Sequence, residues 1–486
     1  MSQIASKAFY ESELNDWVNK EKSAISLISS IGNLLYDKSI ELVLFRNPLV
    51  DQSVSEILSL HKSTGEVTGK KITVEDTSAL AKALIDIDVA PSKLDIGKLA
   101  SEWSLEKDNF GSVTEFLTSK LSGFKTSDNQ SLEPRDVILY GFGRIGRLAA
   151  RELIKQAGKG QQLRLRAIVV RNNSEDQIKK RASLLRMDSV HGPFPGTIFE
   201  DYENKNLIIN GQVINIIQAS HPSEIDYTEF GINNALVLDN TGVFTDKEAL
   251  SNHLKSKGVT KVILTAPGKE IPNIVYGINQ KEFKIEDYDI FSAASCTTNA
   301  ISPILKVIED NYGVEKGHIE TVHAYTNDQN LLDNYHKKPR RGRSAAINMV
   351  ITSTGAGKAV TKVIPSLAGK LTANAVRVPT PNGSLAIMNL SLNKEASLED
   401  VNLMVKKYAM EGDLVNQIKF SIEEELVSND IIGNTCCAVF DSHATIVSED
   451  KKNVVLYVWY DNEFGYTKQV IRLAKYVANV RRLLYY

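Results

Sequence analysis

A glycine-rich turn between a hydrophobic run and an amphipathic segment constrains the fold of this chain more than any other feature. Asp136–Tyr140 is typical of a buried strand, Gly141–Gly146 has the pattern G-x-G-x-x-G, and the following residues to about Lys155 are typical of a helix. In this context the first glycine makes the turn, the second lets the backbone approach a pyrophosphate, and the third lets the helix pack on the strand. The context therefore predicts a dinucleotide-binding βαβ unit.

Strand-like and helix-like segments alternate after this turn. The strand-like runs are Leu163–Val170, Ala235–Phe244 and Lys261–Pro267, and Asn206–Ile217 reads as a hairpin around Asn210-Gly211. Repeated alternation of strands with helices indicates a parallel, doubly wound sheet. We therefore expect an α/β Rossmann domain in this part of the chain.

The end of the second predicted strand bears on the choice of cofactor. Its tip is Arg171–Ser174, which contains no carboxylate, although Glu175 and Asp176 follow closely. An acidic side chain at this tip binds the ribose hydroxyls of NAD and repels the extra phosphate of NADP, whereas arginine accepts that phosphate. The tip therefore leaves the choice between NAD and NADP open.

Composition excludes several classes of protein. The chain has 486 residues, which predicts two or three domains, and its 57 basic and 59 acidic residues give a net charge of -2, so neither nucleic acid nor a membrane surface is an expected partner. No long apolar stretch or secretory signal is evident. The 3 cysteines are too few for a disulfide framework and indicate a reducing cytoplasm, and no metal site is expected.

The first 134 residues form a separate extension in this interpretation. Apolar stripes and a capping box at Ser112–Glu115 predict helices up to about residue 124; the stripe residues are Leu14, Val18, Ile25, Ile28 and Leu35, then Leu80, Leu84 and Ile87, then Phe116, Leu117 and Leu121. The polar segment Lys125–Pro134 reads as a linker. We expect the stripes to bury their apolar faces within a small bundle or against the Rossmann domain.

Cys296 stands where a predicted strand, Tyr288–Ala294, meets a helix whose apolar face is formed by Ile301, Ile304, Leu305 and Ile308. Unpaired backbone N–H groups and the positive end of the helix dipole favour an anion there, so the thiol is biased toward thiolate. A buried, inert cysteine is the alternative for an isolated thiol beside apolar residues. The surrounding motifs favour a nucleophile.

Four further segments carry polar or basic side chains suited to catalysis or anion binding. His323 lies in a strand-like run, and the fold can pair it with Cys296 so that the imidazole takes the thiol proton. Thr352–Gly357 clusters hydroxyls and glycines before a helix, which suits a phosphate. Arg377 lies in a strand and needs an anionic partner. The basic loop Lys337–Arg343 is either a solvated surface or an anion-facing loop.

Taken together, these segments resemble the glyceraldehyde-3-phosphate dehydrogenase family. The motifs occur in family order from about residue 136 to the end; they are Tyr140–Leu148, Ala294–Asn299, His323, Ser353–Ala356, Arg377–Thr380 and Trp459–Tyr466. The resemblance implies an NAD(P)-binding Rossmann domain at 135–295, completed by a C-terminal helix at 463–486, and an α+β catalytic domain with an antiparallel sheet at 296–462. It also implies a homotetramer in the cytoplasm.

The resemblance also implies roles for individual residues. Cys296 resembles the family's nucleophile, His323 its acid/base partner, and Asn462 the residue that orients the nicotinamide amide. The site for the substrate's own phosphate corresponds to Thr326, Asp328 and Arg377, and the site for inorganic phosphate to Ser295, Thr297, Thr354 and Gly355. The implied cofactor-binding residues are Gly141, Gly143, Arg144, Ile145, Gly146, Asn173, Thr265 and Asn462.

The implied reaction is the phosphorylating oxidation of glyceraldehyde 3-phosphate, in glycolysis or gluconeogenesis, through a thiohemiacetal and a thioester on Cys296. Two alternatives stand beside it. One is an erythrose-4-phosphate dehydrogenase, whose members typically lose the equivalents of Thr326 and of the Ser353–Gly355 cluster, both present here. The other is a non-catalytic nucleotide-binding scaffold. Gly357, where alanine is common, and Gly383–Leu385 depart from the family pattern.

Overall fold

The computed structural model describes residues 7–70, 72–129 and 132–486. The chain forms two units. The first comprises the described residues of Met1–Glu133 together with Gly158–Gln162 and Val480–Tyr486, and the second comprises Pro134–Ala157 and Leu163–Asn479. The expected catalytic domain lies in the second unit, and so does the expected Rossmann domain except for Gly158–Gln162 and Val480–Tyr486.

The first unit contains five α-helices in its described part. They are α1 (Lys7–Lys38), α2 (Val54–Thr68), α3 (Val74–Leu84), α4 (Ile96–Glu106) and α5 (Val113–Lys120). Capping boxes open α2 and α3, where Ser53 pairs with Glu56 and Thr73 with Asp76. Leu80, Leu84, Phe116 and Leu117 are fully buried, so the stripes predicted on α3 and α5 do form the core of this unit.

The stripe predicted at the amino terminus behaves differently. The helix is present as α1, but its buried residues are Ala24, Leu27, Ser30, Ile31, Leu34 and Leu35. Leu14, Val18, Ile25 and Ile28 are exposed. The expectation that this stripe is buried within the chain is therefore wrong for four of its five members, because the helix presents a neighbouring face to the bundle.

The first unit also contains a small sheet that the helical interpretation of residues 1–124 missed. Its strands are β1 (Glu41–Leu44), β2 (Asn47–Pro48), β3 (Ser92–Asp95) and β22 (Leu483–Tyr485), in the order β2-β1-β3-β22. The last strand comes from the carboxyl terminus and pairs in parallel with β3, with Leu484 opposite Lys93. The extension is thus mostly helical, but the far end of the chain completes its sheet.

Side chains fix this terminal strand in place. Arg482 Nη1 lies 3.2 Å from Glu41 Oε2, and Arg482 is buried. Tyr485 Oη donates to Glu102 at 2.5 Å, while Lys98 lies over the Tyr485 ring, 4.7 Å from its centroid. The strand is therefore an integral part of the first unit and not a loose tail.

The predicted linker is partly ordered. Within it, Asn129 Nδ2 donates to Lys125 O at 2.8 Å, and Thr126 Oγ1 donates to Asp88 at 2.6 Å. Gln130 and Ser131, which the linker prediction includes, lie outside the described residues. The next element, β4, begins at Arg135.

The second unit begins with a Rossmann-like sheet of eight strands in the order β13-β12-β11-β4-β5-β10-β9-β8. The strands are β4 (Arg135–Tyr140), β5 (Leu163–Val170), β8 (Ile198–Asp201), β9 (Asn206–Ile209), β10 (Gln212–Gln218), β11 (Ala235–Asp239), β12 (Val259–Leu264) and β13 (Ile290–Ser292). The six from β13 to β10 are parallel. The predicted hairpin is present as β9 and β10, joined through Asn210 and Gly211 at positive φ. The doubly wound fold is confirmed.

The helices around this sheet are α6 (Arg144–Lys155), α7 (Glu175–Arg186), α8 (Lys247–Ser251) and α12 (Phe464–Val477), and β6 (Met187–Asp188) pairs with β7 (Gly192–Pro193). The helix expected at 463–486 is thus shorter. It packs beside α6, where Lys468 donates to Glu152. It ends at Val477, and the residues after it enter the first unit's sheet.

A second, mixed sheet carries the carboxyl-terminal half of this unit. Its main order is β15-β16-β14-β17-β21-β19-β18, with β20 beside β21. The strands are β14 (Val314–Ala324), β15 (Val350–Thr352), β16 (Leu371–Val378), β17 (Ser384–Leu392), β18 (Ile418–Ser421), β19 (Ala438–Asp441), β20 (Ile446–Val447) and β21 (Asn453–Tyr460). Helices α9 (Cys296–Tyr312), α10 (Ala356–Val363) and α11 (Leu398–Met410) share its apolar core. The antiparallel pairs follow the prediction, and β14 with β16 and β18 with β19 are parallel.

No helix among the described residues is long and apolar enough to cross a membrane.

Candidate active site

The chain turns sharply just before Cys296. β13 ends at Ser292, and Ala294 adopts φ 55, a left-handed conformation that is unusual for alanine. Ser295 then caps α9 by accepting a hydrogen bond from Thr298 N at 3.1 Å. Cys296 is therefore the first residue of α9, at the strand-to-helix junction that the sequence predicts.

His323 meets this thiol from the second sheet. Its Nε2 lies 3.7 Å from Cys296 Sγ, and its Nδ1 lies 2.7 Å from the backbone oxygen of Ala324. Because a carbonyl oxygen can only accept, the proton is assigned to Nδ1. This leaves Nε2 as the unprotonated nitrogen that faces the thiol, which is the tautomer a general base requires.

Burial opposes charge on both members of this pair. Burial raises the pKa of the Cys296 thiol, although the Arg377 guanidinium opposes this. Burial, together with the charge of Arg377, lowers the pKa of His323 to about 3. The helix terminus alone therefore does not produce a free thiolate, and proton transfer from Sγ to Nε2 must create the two charges together so that each stabilises the other.

A cavity of about 290 Å³ opens beside the pair, and three cationic side chains line it: Lys338, Arg341 and Arg377. Arg377 Nη1 donates to Ala324 O at 3.0 Å and lies 3.4 Å from Thr326 Oγ1. Its Nε is buried and has no hydrogen-bond partner within the described part of the chain. A buried, unpaired guanidinium N–H beside a cationic cavity indicates an anionic ligand.

The structure brings most of the predicted anion-binding residues together. Ser295, Thr297, Thr354 and Gly355 all line this cavity, and Gly355 precedes the first residue of α10. Thr326 lies beside Arg377, as noted. Asp328 differs, because its carboxylate accepts from Arg341 and does not line the cavity, so it holds the guanidinium of Arg341, which does line the cavity.

Two cavity residues were not assigned from the sequence. Arg341 is buried and donates to Thr352 Oγ1 at 3.1 Å, and Lys338 stands near it at the cavity wall. Both belong to the basic loop Lys337–Arg343, for which a solvated surface and an anion-facing role were left open. The cavity favours the anion-facing role for these two side chains.

Asn462 is buried immediately before α12, and a single serine fixes its amide. Ser384 Oγ lies 2.9 Å from Asn462 Oδ1 and accepts a hydrogen bond from Ala324 N at 3.1 Å. Since that N–H occupies the serine oxygen, the serine proton is directed to Asn462 Oδ1. The Asn462 N–H groups are therefore directed away from Ser384 and are available to an acceptor.

The two glycine departures have local explanations. Gly383 has φ 83, and a Cβ there would lie 2.3 Å from Ser428 O, so only glycine fits. A Cβ at Gly357 would lie 3.1 Å from the Ala373 Cβ, which is closer than ordinary van der Waals contact, so an alanine there would require a small shift of its neighbour. Neither position disturbs the Cys296–His323 pair.

A second cavity, of about 500 Å³, lies at the glycine turn. Gly141 lines it with φ 92, and a Cβ at Gly146 would lie 2.4 Å from Gly141 O. A Cβ at Gly143 would meet nothing within 4 Å, so the space beside this part of the backbone is open to a ligand. A pyrophosphate-binding turn needs a tight turn at its first glycine, an open approach to the backbone at its second and close packing of the helix at its third. The three glycines present meet these needs, so the residues fit a dinucleotide.

Arg144 and Ile145 open α6 behind that turn. The Arg144 guanidinium is bound to Asp188, at 3.0 Å, and to Glu463, so its side chain fastens the turn to the residue after Asn462. Thr265 Oγ1 donates to Asp239 O at 3.0 Å and lines neither cavity. For Arg144 and Thr265 the structure therefore indicates support of the cofactor site and not a cavity-facing side chain.

Asn173 is not brought to the cofactor cavity. Its side chain is buried and donates to Ile216 O at 2.9 Å. Three cations line the cavity instead: Arg171, Lys180 and Arg181. The expectation that Asn173 reads the ribose is therefore not supported by its orientation, because its side chain bonds to the neighbouring strand while Arg171, Asn172 and Ser174 are exposed at the tip.

Among residues 7–70, 72–129 and 132–486, no cluster of three metal-ligating side chains occurs.

A Rossmann-like sheet with a pyrophosphate-binding turn, joined to a mixed sheet that presents a paired cysteine and histidine, defines a nucleotide-dependent oxidoreductase. The chain belongs to the glyceraldehyde-3-phosphate dehydrogenase family. Residues 135–247 match the family's sequence model for "Glyceraldehyde 3-phosphate dehydrogenase, NAD binding domain", and residues 295–462 match "Glyceraldehyde 3-phosphate dehydrogenase, C-terminal domain".

Individual relatives agree with the family assignment. The chain is 41% identical over 341 residues to a glyceraldehyde-3-phosphate dehydrogenase of Priestia megaterium, covering 70% of this chain and 97% of the relative. It is 48% identical over 458 residues to a glyceraldehyde-3-phosphate dehydrogenase-like protein of Pseudomonas aeruginosa, covering 93% of this chain and 98% of the relative. The match to the Pseudomonas protein is long enough to include most of the amino-terminal extension.

Proposed function

We propose that the protein oxidises glyceraldehyde 3-phosphate to 1,3-bisphosphoglycerate, using NAD or NADP and inorganic phosphate. One observation carries the proposal: Cys296 Sγ lies 3.7 Å from His323 Nε2 at a cavity that Arg341 and Arg377 also line. A nucleophile and base beside two arginines suit an aldehyde that bears a phosphate.

Cys296 begins the reaction. As its proton passes to His323 Nε2, Sγ attacks the aldehyde carbon, and the resulting oxyanion takes that proton back from His323 to become the hydroxyl of a thiohemiacetal. We expect the backbone N–H of Cys296, the first residue of α9, to stabilise the developing oxyanion. His323 then removes the hydroxyl proton as the hydride leaves, and the product is a thioester on Cys296. A nicotinamide cofactor, when bound, would be the acceptor of this hydride.

Two anion positions support the rest of the cycle. Arg377 and Thr326 suit the phosphate of the substrate, while Ser295, Thr297, Thr354 and the start of α10 suit inorganic phosphate. Phosphate oxygen attacks the thioester carbonyl, the C–S bond breaks, and Cys296 leaves as the thiolate. The products are an acyl phosphate and free enzyme.

We further propose a homotetramer in the cytoplasm. The segment between β14 and β15 exposes large apolar side chains, of which Leu331 is 72% exposed, Tyr335 89% and Ile347 79%. Apolar side chains clustered on a surface loop favour burial by another subunit. Because the net charge of the chain is only -2, we do not expect nucleic acid or an anionic membrane as a partner.

The test combines kinetics with mass spectrometry. We expect initial rates with glyceraldehyde 3-phosphate to depend on both nicotinamide cofactor and inorganic phosphate. Without phosphate, the intact mass should show one acyl group on Cys296. An unmodified protein that turns over no aldehyde would refute the proposal and favour a non-catalytic scaffold, while faster turnover of erythrose 4-phosphate would identify the other dehydrogenase.

A further inference from the structure

Helix α1 presents an apolar surface that nothing in the described chain covers. We call it the α1 stripe, and it consists of Tyr10, Leu14, Trp17, Val18, Ile25 and Ile28. Its members are between 36% and 65% exposed. At 100° per residue they lie along one side of the helix, beside the face that is buried in the first unit. The stripe is therefore separate from the bundle core.

The amino-terminal part of α1 also lacks any packing of its own. Every residue from Lys7 to Lys20 is exposed, and the first buried residue is Ala24. An isolated helix of this length is marginal in water, because tertiary packing supplies most of a helix's stability. A partner on the stripe would supply that packing.

We infer that the partner is a second copy of this chain, whose α1 packs antiparallel against the α1 stripe. The charges beside the stripe select this partner. Glu11 and Lys22 lie on one side of the stripe, and Glu13 and Lys20 lie on the other. In an antiparallel pair, each flank of one helix lies against the same flank of the other helix. Glu11 of one copy therefore meets Lys22 of the other, and Glu13 meets Lys20.

One register serves both sets of charges. Glu13 follows Glu11 by two residues, and Lys20 precedes Lys22 by two residues, so aligning one pair aligns the other. The twofold axis then passes between Asp16 and Trp17, and Leu14, Trp17 and Val18 of both copies lie at the centre. A parallel pair would instead bring Glu11 beside Glu13 and Lys20 beside Lys22, which places like charges together.

One acidic side chain, Glu21, lies among the apolar members of the stripe. One of its two carboxylate oxygens accepts a hydrogen bond, since Trp17 Nε1 donates to Glu21 Oε1 at 2.9 Å. Six side chains exposing roughly half of their area present on the order of 500 Å² of apolar surface per helix. Two copies together would bury about 1,000 Å², which reaches the lower range of specific protein interfaces. The stripe is thus large enough for a weak but specific helix pair.

The charges disfavour an anionic lipid surface as the occupant. Amphipathic helices that bind such membranes carry Lys and Arg along the polar face. Between Lys7 and Lys22, α1 carries four acidic residues, Glu11, Glu13, Asp16 and Glu21, against three lysines, Lys7, Lys20 and Lys22, so this segment is not basic. Charges of both signs suit an antiparallel copy of the same helix better than a uniformly negative membrane surface.

The test uses the full-length chain and exchanges charges. One double variant, Glu11→Lys with Glu13→Lys, makes these flanking positions basic, and the other, Lys20→Glu with Lys22→Glu, makes them acidic. In this proposal the α1 pair joins two of the assemblies that the dehydrogenase portion forms, so sedimentation velocity at micromolar concentration should show the weight-average mass of each double variant falling about twofold relative to wild type. The quadruple variant, which exchanges all four charges, should regain the wild-type mass, and so should an equimolar mixture of the two double variants.

Circular dichroism and turnover serve as controls, because none of the four residues belongs to the active site. Double variants that keep the wild-type mass, or a quadruple variant that stays small, would overturn the helix pair. Co-sedimentation of the wild-type chain with phosphatidylserine vesicles that Lys20→Glu with Lys22→Glu abolishes would also overturn it, in favour of a membrane surface. Absence of turnover in the wild-type chain would count against the proposed function alone, since the inference rests only on α1.

Discussion

Arg377 Nη1 lies 3.1 Å from His323 Nδ1, and both nitrogens face the backbone oxygen of Ala324. The residue proposed to hold the substrate phosphate thus touches the imidazole proposed to act as the base. The Arg377 charge is one cause of the lowered His323 pKa. A phosphate that neutralises Arg377 would therefore raise that pKa and help His323 accept the thiol proton.

The first prediction concerns the pH dependence of thiol reactivity. In His323→Asn no imidazole can accept the thiol proton, and burial keeps the pKa of Cys296 above its ordinary value. Thiolate then forms only as the pH rises beyond that value. We expect iodoacetamide to alkylate this variant about a hundredfold more slowly than wild type at pH 7, and at a similar rate near pH 10.

The measurement is the alkylation rate between pH 5 and 10, followed by intact mass, with Cys296→Ser as the matched control that removes the reactive thiol. Cys296→Ser should also abolish oxidation while cofactor binding is retained, because an alkoxide is far harder to form. If the two alkylation profiles coincide, His323 does not activate the thiol. His323→Asn should also slow turnover, by roughly a hundredfold to ten-thousandfold.

The second prediction separates the two anion positions. Arg377→Leu removes the guanidinium that suits the substrate's phosphate, so kcat/KM should fall much more for glyceraldehyde 3-phosphate than for glyceraldehyde, by roughly tenfold or more. Thr354→Ala should leave formation of the thioester nearly unchanged and slow its release by inorganic phosphate. Single-turnover kinetics with and without phosphate measure the two steps, and equal losses for both aldehydes in both variants would contradict the division.

The third prediction concerns the cofactor. Arg171, Lys180 and Arg181 line the cavity at the strand tip, so we expect NADP to be used at a meaningful fraction of the NAD rate. Arg171→Ala and Lys180→Ala should each raise KM for NADP by about tenfold and leave KM for NAD nearly unchanged. Steady-state kinetics with both cofactors provide the measurement.

Ser174→Asp and Asn173→Asp form a matched pair for this prediction. A carboxylate at the exposed Ser174 should suppress NADP use selectively by repelling its extra phosphate. A carboxylate at Asn173 would lie against Ile216 O, where the amide now donates, so it should lower thermal stability instead of changing selectivity. A wild-type enzyme inactive with NADP would refute the role of the three cations.

The fourth prediction concerns the terminal strand. A chain that ends at Asn479 loses β22, and with it the Arg482–Glu41 ion pair and the backbone pairing with β3. We expect trypsin to cleave the described part of residues 1–133 much faster in this variant, while the second unit keeps its turnover. Leu484→Ser, at a half-exposed position of the same strand, is the control that should retain wild-type resistance. Equal resistance of the truncated chain would show that β22 is dispensable.

Local motifs made the fold of the second unit and most of its site predictable. Three of these motifs involve only residues that are close in sequence: the glycine turn, the strand-to-helix junction at Cys296 and the hydroxyl cluster before α10. Their geometry can therefore be predicted from the spacing of residues along the chain. Side-chain direction at the strand tip is different. Asn173 and Ser174 are adjacent, and only the packing of β5 against β10 decides which of them turns inward.

The first unit resisted prediction for another reason. An apolar stripe identifies a helix, but not which of two adjacent faces the bundle takes, and α1 buries Leu27, Ile31 and Leu34 instead of Leu14 and Val18. The sheet partner of β3 lies almost the whole chain away, and a three-residue strand carries no signal of its partner. Such contacts depend on the assembled unit and not on local pattern.

The position of β22 sets the order in which the chain can complete itself during synthesis. The ribosome makes β3 long before β22, the strand that finishes its sheet. Until β22 has been made, β3 presents an unpaired edge to its surroundings, and the nascent extension has to wait for the dehydrogenase portion to be translated. Completion of the first unit therefore reports that the dehydrogenase portion has already been made.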